Sequence, residues 1–178
     1  TDRICGAEDL AIEYGIPHKR ILYNSREQFS RDAARWLYDE QGMTSTCLFF
    51  SRLVSCELFD RGFCYNFHPA LLPAFAGMKG LERTAISTVK FFGTTVHHVD
   101  ESVDGGPIVG QIVSPVPNSR DLNVMQRISF AQKLYMLLVL VEQQTDERGQ
   151  APYVSTPGGR RHLASPGLSS QSLERAFL

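Results

Sequence analysis

Two prolines four positions apart, in Asn66-Phe67-His68-Pro69-Ala70-Leu71-Leu72-Pro73, constrain this chain more than any other feature. Each fixes its own φ and steers the residue before it away from helix, so the segment after His68 is a stiff, non-helical ledge. The apolar run Phe63 to Phe67 just before it reads as a strand. Strand side chains repeat with period two, so Asn66 and His68 leave that strand on one side and arrive together at the ledge.

The other elements follow from pattern. Ala7 to Tyr14 predicts a short helix closed by Gly15-Ile16-Pro17, and Arg20 to Tyr23 a short strand. Ser25 and Gln28 have capping-box spacing for a helix reaching about Glu40, with Phe29, Trp36, Ala33 and Leu37 inward. Thr46 to Leu53 reads as a strand covered on both faces. Lys79 to Lys90 predicts a helix with Leu81, Ala85, Ile86 and Val89 on its inner side. Strands are expected at Gly93–Val99 and Ile108–Val116 around an acidic loop, then a helix from Ser119 or Asp121 to about Gln144. Strands alternating with helices predict an α/β fold with a mostly parallel, Rossmann-like sheet and helices on both faces. Ligands in such folds bind outside the carboxyl ends of strands, where Asn66 and His68 fall.

The length of 178 residues suits one core. Residues 1–150 are expected to form the catalytic domain and 151–178 a polar tail, with a hairpin around Pro157-Gly158-Gly159 and the rest frayed. Net charge is −1 without blocks of like charge, which offers nothing to nucleic acid or an anionic membrane. The apolar run Leu134 to Val141 is too short to span a bilayer. Cys5, Cys47, Cys56 and Cys64 lack C-x-x-C spacing and read as reduced thiols, as in the cytoplasm. Thr1 is not a methionine, and a strand and helix are expected to precede it.

Asn66, His68, the pair His97-His98 and Asp104 carry the chemistry. An amide N–H can stabilise a developing oxyanion, a histidine moves protons near neutral pH, and a carboxylate orients the imidazole and favours its charged form. Together they suit acyl transfer to an amine. Singly, each has an ordinary structural reading: a hydrogen-bonded histidine at a strand end, or a turn at Asp104-Gly105-Gly106. Adjacent His97 and His98 face opposite ways on a strand and make a poor metal site. No G-x-S-x-G, G-x-G-x-x-G or G-x-x-x-x-G-K occurs.

The block Asn66 to Pro73, the run Gly93-Thr94-Thr95-Val96-His97-His98-Val99-Asp100 and the run Asp104-Gly105-Gly106-Pro107-Ile108-Val109-Gly110-Gln111 resemble the folate-dependent formyltransferase family. The resemblance covers about residues 1 to 145, with Asn66 and Asp104 separated by 38 positions as in that family. It implies the formyltransferase fold lacking its first strand and helix. The implied reaction moves a formyl group from 10-formyltetrahydrofolate, a cosubstrate used without metal, to an amine. In the purine-pathway branch that amine is phosphoribosylglycinamide. It further implies that Asn66 holds the formyl oxygen, His68 is the general acid or base, Asp104 supports the charged imidazole and places a water, and His97 assists. Folate contacts are implied at Arg26, at Ser51, Arg52, Leu53 and Val54, and at Asp100, Glu101, Ser102, Val103 and Asp104. The family's Gly-Ser-Asn phosphate loop has no counterpart in the sequence, and Ala131 stands where purine-pathway members place a glutamate. Formyltetrahydrofolate hydrolase, with the same triad and water as acceptor, is the alternative enzyme. An inactive folate-binding or structural relative is the alternative outside enzymes. The expected partners are a small amine and folate, the expected state a monomer or homodimer.

Overall fold

The computed structural model describes residues 1–49, 52–145 and 163–177, which fall into two compact units, Thr1–Cys64 and Tyr65–Leu178. In the first, α1 spans Gly6–Glu13 and ends at Gly15, whose φ of 64° is the left-handed turn that glycine adopts at no steric cost. The buried Glu8 of this helix accepts from Thr1 Oγ1 at 2.6 Å and Arg20 Nε at 2.8 Å. The Arg20 hydrogen bond, followed by that of Thr1, pulls its carboxyl down to about 2. The strand expected at Arg20 to Tyr23 does not form. Backbone groups there turn to the first residue instead, Ile21 N–H donating to Thr1 O and the Thr1 amino group to Lys19 O.

Ser25 caps α2 (Arg26–Ala34), its Oγ accepting from Gln28 N–H at 3.1 Å. The reciprocal half of the capping box is absent, because the Gln28 side chain reaches forward to Asp32 at 2.8 Å. A π-helical segment, Arg35–Glu40, continues the helix to the expected end. Phe29, Ala33 and Ala34 are buried; Trp36 and Leu37 are only half-buried. The strand β1 spans Ser45–Leu48, shorter than the apolar run predicts, and it is not covered on both faces: Cys47 and, just beyond it, Phe49 are exposed, and within the strand Leu48 is the buried residue. A short α3 (Cys56–Phe59) leads to β2 (Phe63–His68), whose first N–H donates to Thr44 O at 3.1 Å.

In the second unit β2 lies beside β3 (Phe91–His98), β3 beside β4 (Ile108–Pro115), and β4 beside β5 (Leu163–Ser165). All three pairs are antiparallel. The α/β class is as expected, but the mostly parallel pairing does not describe this unit, for a topological reason. The connection after β2, which carries the ledge and α4 (Gly80–Ile86), leaves and re-enters the sheet at one end, setting His68 opposite Thr95. The 99–107 loop carries no helix, so β3 and β4 form a hairpin. α4 stops at Ile86, which is exposed. Arg120, itself at φ 50°, stitches the turn that follows: its guanidinium donates to Ala85 O at 3.2 Å, Ser87 O at 2.6 Å and Val89 O at 2.8 Å.

Helix α5 (Leu122–Thr145) starts at Asp121, whose carboxylate accepts from Asn123 N–H at 2.8 Å. By length and composition it could cross a membrane, with mean hydropathy 1.3. However, Met125, Ser129, Gln132, Met136, Val139 and Leu140 are buried at helical spacing, and the helix packs on β3 and β4. It is the core helix of this unit. Its lower half joins Tyr65, Phe67, Val96 and Ile112 in one apolar cluster. Its upper half buries Gln132 between Thr94 Oγ1 (3.3 Å) and Ser114 Oγ (2.6 Å).

The tail is not frayed at 163–177. Beyond β5, Leu168 is buried in the core with its N–H donating to Tyr135 Oη at 3.0 Å, and α6 spans Gln171–Arg175. The rest of the expected hairpin, including Tyr153-Val154, lies outside the described residues.

Candidate active site

Strand register assembles most of the site. Asn66 is the cross-strand partner of His97, and Tyr65 of His98. The alternation of strand side chains then sends His97 towards Asn66 and stacks His98 on the Tyr65 ring, centroids 4.8 Å apart. His97 donates from Nδ1 to His98 O at 2.8 Å, which leaves Nε2 facing Asn66 Nδ2 at 3.2 Å.

Asp104 comes from the loop between β3 and β4, closed at its base by His98 N–H donating to Pro107 O at 2.9 Å. Gly106 makes that closure possible, since a Cβ there would lie 1.9 Å from His98 O. Asp104 adopts φ 54°, and its carboxylate is the hub of the site. Oδ1 accepts from Asn66 Nδ2 at 3.2 Å and lies 3.5 Å from His97 Nε2. Oδ2 lies 3.1 Å from His68 Nδ1 and accepts from Gly77 N–H at 2.8 Å. The His68 hydrogen bond, then His97 and the Gly77 amide, hold this carboxyl far below the usual carboxylate range, although burial opposes them.

His68 is almost fully buried, and both of its nitrogens face acceptors: Nδ1 the Asp104 carboxylate, Nε2 the carbonyl of Phe75 at 3.1 Å. Both contacts are satisfied at once by a ring carrying two protons. Gly80 lies against the same ring, and a Cβ there would be 2.9 Å from Nε2.

The ledge is held from beneath by one hydroxyl. Thr95 Oγ1 donates to Ala70 O at 2.7 Å and accepts from Leu72 N–H and Gln111 Nε2, each at 3.0 Å. Gln111 Nε2 also reaches Leu72 O at 3.0 Å. Beyond the ledge, Phe75 and Lys79 have φ of 58° and 59°. With Asp104 they make three non-glycine residues in the left-handed region around one site, each conformation costing roughly 1–3 kcal/mol. Such strain gathers where surrounding contacts enforce a geometry.

Of the residues expected from sequence, the structure brings together Asn66, His68, His97 and Asp104. In the loop leading to Asp104, Glu101, Ser102 and Val103 are exposed, and Asp100 accepts from Ser102 N–H at 2.8 Å. Arg26, Arg52, Leu53 and Val54 belong to the first unit. There Arg26 pairs with Glu27 at 2.9 Å, and Arg52 pairs with Asp2 at 3.1 Å while lying 5.0 Å from the Tyr23 ring centroid. Leu53 is exposed and Val54 buried. Ser51 lies outside the described residues. Sequence reasoning missed Thr95, Gln111, the Phe75 carbonyl and the Gly77 amide. Thr95 had a findable signal, being two positions before His97 and so on its face of the strand; backbone groups of a loop have none.

Compared with known families, residues 6–140 match the formyl transferase family. The chain belongs to that family. A formyl transferase named phosphoribosylglycinamide formyltransferase, from Mycobacterium tuberculosis, is 32% identical over 141 residues, 75% of this chain and 65% of the relative. This chain thus spans less than two thirds of that relative's length. The crystal structure of phosphoribosylglycinamide formyltransferase from Campylobacter jejuni superposes with TM-score 0.65 at 26% identity, covering 77% of this chain and 73% of that one. A formyltetrahydrofolate deformylase from Pseudomonas putida does so with TM-score 0.60 at 27% identity, covering 71% and 46%. The formyl transferase fold thus agrees with the resemblance seen in the sequence.

Proposed function

We propose that this formyl transferase moves a formyl group from 10-formyltetrahydrofolate to the amine of phosphoribosylglycinamide, a step of purine biosynthesis. The observation that carries this reading is the hydrogen-bonded set of Asn66, His68, His97 and Asp104 around one carboxylate. The donor set suits a formyl amide: one side-chain amide, one imidazole with protons to give, and a carboxylate to receive one. When bound, 10-formyltetrahydrofolate supplies an activated formyl carbon.

The chain's residues do the rest. Asn66 points its Nδ2 into the site and offers N–H to the oxygen that gathers charge as the formyl carbon is attacked. In the free protein Nδ2 lies 3.2 Å from both Asp104 Oδ1 and His97 Nε2, so one contact exchanges for substrate. His68, held between Asp104 and Phe75 O, is set up as the acid that protonates the departing nitrogen. Asp104, strongly ionised, stabilises that imidazolium and takes the proton the incoming amine loses, directly or through a water. The exposed segment Glu101 to Val103 is the proposed contact for the pterin ring within this unit. We take the setting to be cytoplasmic, the partners to be the two small molecules, and the chain to act as a monomer or homodimer without nucleic acid or membrane.

The second reading, hydrolysis of 10-formyltetrahydrofolate with water as acceptor, rests on the likeness to the Pseudomonas putida deformylase. One assay separates the two. Tetrahydrofolate release that depends on phosphoribosylglycinamide supports transfer, release without any amine supports hydrolysis, and no release in either case overturns both.

A further inference from the structure

The loop between the ledge and α4 grips both members of the His68–Asp104 pair through its backbone. Phe75 C=O accepts from His68 Nε2, and Gly77 N–H donates to Asp104 Oδ2. Phe75 and Lys79 have positive φ, a conformation that a non-glycine residue keeps only where other contacts enforce it. The residue between the two grips supplies the enforcing contact. Ala76 C=O accepts from Arg83 Nη1 at 2.7 Å, and the Arg83 guanidinium lies 5.7 Å from the Phe75 ring centroid. Arg83 stands on α4, and its own N–H donates to Lys79 O at 2.9 Å, which ties the far end of the same loop. It forms no ion pair within 4 Å among the described residues. Its guanidinium is turned to the loop.

We infer that Arg83 is a positioning residue: by clamping Phe75 and Ala76 it fixes the carbonyl and the amide that hold the His68 ring and the Asp104 carboxylate in register. It touches no reacting atom. The inference rests on the formyl-transfer reading for its effect on rate, whereas its effect on the His68 ring stands apart from that reading. A lysine in its place would keep one hydrogen bond to Ala76 O but lose the guanidinium face over Phe75, so Arg and Lys are not equivalent here.

The test compares the wild-type chain with Arg83→Lys and Arg83→Met, using long-range proton–nitrogen NMR of the His68 ring, thermal unfolding and steady-state turnover of 10-formyltetrahydrofolate with phosphoribosylglycinamide. In Arg83→Met the His68 Nε2 resonance is expected to move towards that of a solvent-averaged imidazole. Turnover is expected to fall on the order of 10²-fold, as for a small misplacement of a reacting group. KM for the formyl donor should change little. Arg83→Lys is expected to lie between the two on both readouts. An unchanged His68 spectrum in Arg83→Met, or a lysine variant no better than the methionine one, overturns the inference. Should Arg83→Met fail to fold, the Arg83→Lys spectrum decides it. If the wild-type chain turns over no substrate, the formyl-transfer reading falls while the ring spectrum still decides the role of Arg83.

Discussion

His68 is enclosed by acceptors, and that enclosure defines what its loss would do. With the ring removed, Asp104 Oδ2 keeps the Gly77 amide and Oδ1 keeps Asn66, so the carboxylate stays anchored. Only Phe75 O loses its partner. His68→Ala is therefore expected to fold, as judged by circular dichroism. Its turnover should be lower by the ~10²–10⁴-fold typical of losing a general acid or base. Wild-type turnover in this variant would remove His68 from the mechanism. Asn66, His68 and Asp104 were legible in the sequence because side-chain chemistry, strand period and spacing coincide there. Phe75 and Gly77 act through main-chain atoms that every residue possesses, and only the conformation of the loop says that these two are used.

The ledge is an element built on a sequence rule and fastened by something the rule omits. Pro69 and Pro73 stop a helix, but the path the chain then takes is set by Thr95 beneath it, with every hydrogen-bonding capacity of its hydroxyl used. Thr95→Val keeps the shape and strands Leu72 N–H, Ala70 O and part of the Gln111 amide. Since a buried group left without its partner costs about 1–3 kcal/mol, a loss of at least that size is expected in urea unfolding, with Thr95→Ser losing much less. Equal midpoints for the valine variant and the wild type would show that the ledge holds itself. An element with two concordant signals was read with an accurate start, Ser25 with Gln28 at α2; for α5 the sequence left Ser119 and Asp121 open, and Asp121 is the residue that caps it. Those read from apolarity alone were not. Thr46 to Leu53 looked like a strand throughout, yet among the described residues it ladders only within Ser45–Leu48, and Ile86 faces solvent although helical period placed it inward. Apolarity records what a residue tolerates, whereas a cap or a fixed φ records what the backbone does. The antiparallel course of β3 was hidden for a similar reason, because strand–helix–strand order is shared by crossovers and by connections that return to the same end.

Across the whole molecule, the depressed carboxyls set the response to acid. Asp104 is held far below its usual range by His68 first, and Glu8 is pulled to about 2 by Arg20 first. A carboxyl whose folded-state pKa lies below its unfolded value stabilises the fold fully above the unfolded value, and that stability is lost as pH falls through the folded one. The melting temperature is thus expected to hold near neutrality and to decline from about pH 5 downwards. Asp104→Asn should melt lower than wild type at pH 7 and show a shallower decline; parallel curves for the two proteins would refute the role of this carboxyl. Arg120 leads to a different kind of consequence. Trypsin cleaves after arginine only by drawing the guanidinium into its own specificity pocket, and this guanidinium is occupied by Ala85, Ser87 and Val89. The bond between Arg120 and Asp121 should therefore resist trypsin until the turn beneath it opens. The rate of that one cut, followed by mass spectrometry, becomes a clock for how often α4 and the start of α5 come apart.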